Sequence, residues 1–262
     1  MTINESLQPT EKSTSTGNSS RENKGVAKSK SVKTFARITG VLILIVAVIA
    51  PFSMLYLPST LIMPGDATTT ANNIMASESL FRLGIVSDAV VFLIEIALSV
   101  LLYLLVKPVS KTLSLVVAFS RLAMTIIQGI NLLNSFFALL LLSGAGYLTV
   151  FEPAQLNALV LLFLNAHQSV VLIWGLSFGL HLFVLGYLVY KSGYIPKIVG
   201  VFLVVASLCY LIQSFGKILL PNYEEIFTLV GTLSIVEIAL PLWLLIKGVN
   251  VERWEKRALE SA

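Results

Sequence analysis

The feature that most constrains this chain is the run from Ile38 to Leu57, which carries no charge and is apolar almost throughout. It has the length of about 20 residues that a helix needs to cross a hydrocarbon layer ~30 Å thick. Five more predominantly apolar runs of that length or longer follow, at 80–106, 112–142, 168–190, 198–220 and 226–246, with only a few charges inside them. The composition agrees: 56% of residues are hydrophobic and 12% charged, about half the charge of a soluble domain. A water-soluble globule is excluded. Strand-type alternation is absent, which excludes a membrane barrel. The single cysteine excludes a disulfide framework and any cysteine-based zinc site. The expected fold is therefore all-α, a polytopic bundle of six transmembrane helices.

The first run has to be weighed against a cleaved signal peptide. Val48-Ile49-Ala50 would suit a peptidase, but Pro51 follows directly and the polar leader is long. A retained first span is expected. Residues 1–33 contain six apolar residues among Ser, Thr, Asn and Lys, too few to offset ordering entropy, so a disordered basic tail is expected there. Residues 34–250 then form the membrane domain and 251–262 a short C-terminal segment. Charge is localised: residues 1–37 hold seven Lys/Arg against three Glu, and the rest balances eleven against eleven. The body thus offers no nucleic-acid footprint.

Lys and Arg beside the spans give the orientation. Lys24, Lys28, Lys30, Lys33 and Arg37 share a side with Lys107, Lys111, Lys191, Lys197, Lys247, Arg253, Lys256 and Arg257. The opposite connections hold Asp66, Glu78, Glu152, Glu224 and Glu225. Both termini are expected to be cytoplasmic, in what is expected to be the plasma membrane of a prokaryote. Residues 156–190 would make a helix of about 52 Å, longer than the bilayer core. A break is expected near Asn165–Gln168, with Leu156–Leu164 lying as an interfacial or re-entrant helix. The third span, also overlong, is expected to protrude.

A charge at mid-membrane costs at least about 2.5–3.5 kcal/mol and needs a partner or water. Glu95 lies about 18 Å below Lys107, and Arg121, His181 and Glu237 each about 15 Å from a boundary lysine. Four ionisable groups from four helices share one level. The second and third spans turn at Pro108, so facing residues have equal index sums, as Glu95–Arg121, Asp88–Gln128 and Arg82–Asn134 do. The seven-residue steps Asp88–Glu95 and Arg121–Gln128 each stay on one helix face. The spacing predicts a buried ion pair of Glu95 with Arg121. It also predicts a polar cavity drawing on Asp88, Gln128, His181 and Glu237. Pro241 should free the Glu237 carbonyl and kink the sixth span at that carboxylate.

Several stretches resemble a known family: Phe81-Arg82-Leu83-Gly84-Ile85-Val86-Ser87-Asp88, Leu102-Tyr103-Leu104-Leu105-Val106-Lys107-Pro108-Val109 and Phe119-Ser120-Arg121-Leu122, with Leu185-Gly186-Tyr187 through Ile195-Pro196 and Gly200-Val201. This is similar to the bacterial and archaeal multi-pass family called domain of unknown function 4386, over roughly residues 35–250. The resemblance implies a six-span membrane protein and no activity.

Gly175-Leu176-Ser177-Phe178-Gly179 spells a nucleophile-elbow pattern, but inside an apolar helix, where small residues serve close packing instead. His167 and His181 stand too far apart for one metal site, no phosphate-binding glycine motif occurs, and no cofactor is expected. Three functional classes remain. The first is a membrane protein of transporter or sensor type with a charged mid-membrane site, taking a small solute or a proton. The second is a scaffold or partner subunit whose buried charges only set helix register. The third is a lipid-modifying enzyme using the same acids and histidine, which His181 lies too deep to favour. In all three the lipid bilayer is the surrounding partner, and protein partners are not legible.

Overall fold

The computed structural model describes the backbone of residues 15–261 and the side chains of residues 31–261. It contains ten α-helices among these residues and no strand: α1 (Ser15–Pro51), α2 (Leu57–Leu61), α3 (Ala67–Ala76), α4 (Glu78–Val106), α5 (Lys111–Leu141), α6 (Pro153–Ser192), α7 (Lys197–Leu219), α8 (Glu224–Thr232), α9 (Ala239–Ile246) and α10 (Val251–Glu260). Six stretches are long and apolar enough to cross a membrane: Ser31–Leu61, Glu78–Val106, Lys111–Leu141, Pro153–Ser192, Lys197–Leu219 and Pro221–Ile246. Each packs on its sequence neighbours, and α1 closes the ring by packing on both α4 and α9.

Two apolar clusters fill the bundle. At the lysine-rich end Leu102, Leu105, Val106, Leu185, Leu188, Leu203 and Leu244 meet Ala36. At the other end Leu57, Ile74, Phe81, Leu132, Val160 and Leu164 pack together. Lipid is as apolar as these side chains, so shape and polar contacts hold the helices together more than water exclusion does. Accordingly Ser207 Oγ of α7 donates to the Gly179 carbonyl of α6 at 2.7 Å, and Ser177 Oγ of α6 to the Ser120 carbonyl of α5 at 2.9 Å. The glycine–serine pattern around Ser177 is thus a packing seam in an unbroken helix.

One expectation needs correcting, the break at Asn165–Gln168: α6 runs without interruption through 40 residues, about 60 Å. No proline or glycine lies there to release the ladder. Val160 and Leu164 are buried in the second of these clusters, and Asn131 Nδ2 of α5 donates to the His167 carbonyl at 3.1 Å. Leu156–Leu164 is therefore the N-terminal part of the fourth span's helix, flanked by α3. The backbone of α1 begins at Ser15, ahead of the first span. Residues 1–14 lie outside the described residues.

The ends of the helices are closed locally. Asp66 caps α3, accepting from Thr69 N at 2.9 Å and Thr69 Oγ1 at 2.6 Å. Those bonds favour the ionised form and hold the Asp66 carboxyl below its ordinary value near 3.8. A depressed folded-state value makes the cap's contribution present above the ordinary value and lost as pH falls through the folded one. Hydrogen exchange of the α3 amides, corrected for its intrinsic pH dependence, should therefore quicken on acidification below that point, and Asp66→Ala should remove the dependence. At the lysine-rich end Gly193, at φ +75, turns the chain out of α6. There Tyr194 Oη and Trp254 Nε1 both donate to the Leu105 carbonyl, at 2.8 and 3.1 Å. Burial pushes the Tyr194 hydroxyl well above its ordinary value, so it stays a donor. Arg253 and Arg257 of α10 donate to the carbonyls of Gly193 and Lys191 at 3.0 and 3.1 Å. The C-terminal helix is a clasp across the ends of α4 and α6.

Candidate functional site

The polar residues of the spans fall into two groups. In the inner one, Arg121 of α5 faces Glu95 of α4, with Nε 2.6 Å from Oε2 and Nη2 donating to Oε1 at 3.0 Å. Glu95 is 6% exposed and Arg121 4%. The remaining guanidinium edge reaches α6, where Arg121 Nη1 lies 3.0 Å from His181 Nε2. Guanidinium only donates, so Nε2 is the acceptor and His181 carries its proton on Nδ1. That N–H then donates to the Val117 carbonyl at 2.8 Å. One planar cation thus joins three helices, with Glu95 and His181 on separate edges of the guanidinium.

Glu237 sits on a discontinuity. The sixth span is α8, then a 3₁₀ stretch Leu233–Ile238, then α9. Pro241 lies four residues on, where its ring cannot coexist with an ordinary α-helical Glu237 carbonyl. Tyr210 Oη of α7 donates to Glu237 Oε1 at 3.0 Å. Trp174 and Tyr210 pack around Phe178, with centroids 4.9 Å from it, and the Arg121 guanidinium lies 6.0 Å over the Phe178 ring.

The outer group centres on Asp88, two turns above Glu95 on the same face. Its partner is Ser53, whose Oγ donates to Asp88 Oδ1. Ser53 lies in a π-helical turn, Phe52–Tyr56, between Pro51 and Pro58. Each proline removes a ladder donor, and the widened turn aims Ser53 inward. Ser53, Asp88, Ser135, His167 and Gln168 line a cavity of about 40 Å³ whose other walls are apolar. Glu95, Arg121, His181, Glu237 and Gln128 are not among its lining residues. His167, 9% exposed, turns a buried Nδ1 with no hydrogen-bond partner among the described residues, and Gln128 Oε1 is in the same state.

The structure therefore brings Glu95, Arg121 and His181 together, sets Glu237 against Tyr210, and places Asp88 apart from all of them, beside Ser53 and His167. Sequence reasoning passed over Ser53 and Tyr210 and left His167 out of the candidate site. The paired prolines around Ser53 were the available signal for the first of these. Among the described residues no group of three His, Cys, Asp or Glu side chains could hold a metal ion.

A ring of six apolar helices with buried charges between them defines an all-α polytopic membrane protein. The chain belongs to the family described as Domain of unknown function (DUF4386), whose family model matches residues 38–248. It is similar to an uncharacterized protein of Archaeoglobus fulgidus, 29% identical over 165 residues, which cover 63% of this chain and 83% of that protein. No solved structure matches.

Proposed function

We propose that this is an integral membrane protein of transporter or sensor type whose working group is Asp88, binding a proton or a small cationic solute. The observation that carries the reading is a buried carboxylate bonded to one serine, in a cavity also lined by His167, whose buried Nδ1 has no hydrogen-bond partner among the described residues. About 40 Å³ holds a few waters or one small cation, at roughly 10–15 Å³ each. A carboxylate on α4 and a histidine on α6, beside a first span whose helix carries a π-turn, are the parts from which proton and ion pathways are built. The weight of Lys and Arg at the opposite end supports cytoplasmic termini and a cavity facing outward, in a prokaryotic plasma membrane.

The inner charges have a different role. Both carboxylate oxygens of Glu95 face the guanidinium and both ring nitrogens of His181 are engaged, which supports fixing helix register. His181 has no free ring nitrogen left for acid–base work on a lipid.

Asp88→Asn tests the reading, because its amide oxygen can still accept from Ser53. In proteoliposomes under an imposed membrane potential, proton entry should fall to the protein-free level. The pH-difference infrared spectrum should lose a carboxyl band that Glu237→Gln leaves in place. Native and Asp88→Asn protein giving the same flux and the same spectrum would sink the assignment.

A further inference from the structure

A second cavity, of about 470 Å³, opens at the lysine-rich end between α1, α9 and α10. Lys33 and Lys247 line it, with Tyr194, Trp243, Asn250 and Glu252. Lys33 is two residues inside the start of the first span, and Lys247 is the first residue past the end of the sixth. Both therefore sit at the boundary of the hydrocarbon, where lipid phosphates lie. Among the described residues neither lysine takes part in an ion pair. By contrast Lys107, Lys191 and Lys197 at the same end lie over tyrosine rings, 5.4 to 6.0 Å from the centroids. Trp243 is one turn deeper than Lys247, the depth at which an amphipathic ring meets glycerol and upper acyl chain. Asn250 spends its side-chain oxygen capping α10 at Arg253 N, which leaves its amide N–H groups to donate.

The geometry points to a binding site for one anionic glycerophospholipid, its phosphate held by Lys33 and Lys247 and its headgroup hydroxyls donating to Glu252. Basic pockets between spans on the lysine-rich side have the charge and depth that such headgroups need. The acyl chains follow the seam of α1 and α9 past Trp243. This site is at the opposite end of the bundle from Asp88 and does not depend on the role given to that residue.

The full chain in detergent, titrated with phosphatidylglycerol and read by native mass spectrometry, should hold one lipid well above the rest in affinity. Lys33→Gln with Lys247→Gln should weaken that lipid about thirtyfold, taking each lysine at its usual contribution near a charged surface. Lys107→Gln with Lys197→Gln removes the same charge from the same end and should leave it bound. Lys33→Arg with Lys247→Arg should bind like the native chain, which keeps the test decisive if the glutamine pair is unstable. Equal losses in the two glutamine pairs, an arginine pair that does not bind, or equal affinity for phosphatidylcholine would each overturn the site. sn-Glycerol 3-phosphate displacing the lipid at equal concentration would overturn it as well, by assigning the lysines to free phosphate.

Discussion

Arg121→Leu should destabilise the folded protein by roughly 3–5 kcal/mol, because it leaves a buried carboxylate with no counter-charge. The loss has two parts. Glu95 keeps a carboxylate whose ionic contacts were both to this guanidinium, and His181 Nε2 loses its donor. Glu95→Leu alone strands the guanidinium and should cost a similar amount. The double change Arg121→Leu with Glu95→Leu removes both charges and should recover much of either loss, as apolar replacements of whole buried ion pairs do. Arg121→Lys should not substitute, since one ammonium on a flexible stem lacks the planar fork that engages Glu95 and His181 together. Thermal unfolding in detergent measures all four. A double variant as unstable as the single ones would show that the pair does not set the register of α4 and α5.

What the sequence reveals here is height and face; what it conceals is the identity of partners. Equal index sums placed Glu95 opposite Arg121 because both belong to one hairpin, whose turn at Pro108 fixes the register. The same arithmetic set Gln128 opposite Asp88, yet the hydrogen bond to Asp88 comes from Ser53 of α1. A hairpin rule is blind to a third helix, and the inward turn of Ser53 depends on a π-turn that hydropathy does not register. Heights measured from boundary lysines brought His181 to the level of Arg121, and the two side chains meet. Glu237 shares that height but turns to Tyr210, since the 3₁₀ stretch changes the angular step per residue from 100° to about 120°. The unbroken α6 was illegible for a related reason. Asn165, His167 and Gln168 look like surface polarity until Asn131 and the Asp88 cavity are seen beside them.

Gly200→Ala should be among the most damaging one-carbon additions this chain can receive. A Cβ at Gly200 would stand 2.6 Å from the Gly186 carbonyl oxygen and 2.6 Å from the Tyr190 nitrogen, and one at Gly186 would stand 2.8 Å from the Gly200 carbonyl oxygen. All three obstacles are backbone, so no rotamer change relieves them, and α6 and α7 would have to separate. Small residues that let backbones approach are the main adhesive between helices in lipid. Overpacking of this kind costs typically 1–3 kcal/mol, and Gly200→Leu should prevent folding. Gly84 offers the contrast: its added Cβ would collide only with the end of the Leu57 side chain, which can swing aside. Gly84→Ala should stay within about 1 kcal/mol of native. Gly186 and Gly200 flank the turn through Tyr194 and Pro196, in the stretch that carries much of the resemblance to the family. That stretch is therefore read as a rule for bringing two helices together, not as chemistry. A Gly200→Ala protein melting at the native temperature in detergent would refute this reading and return the stretch to the residues in want of a function.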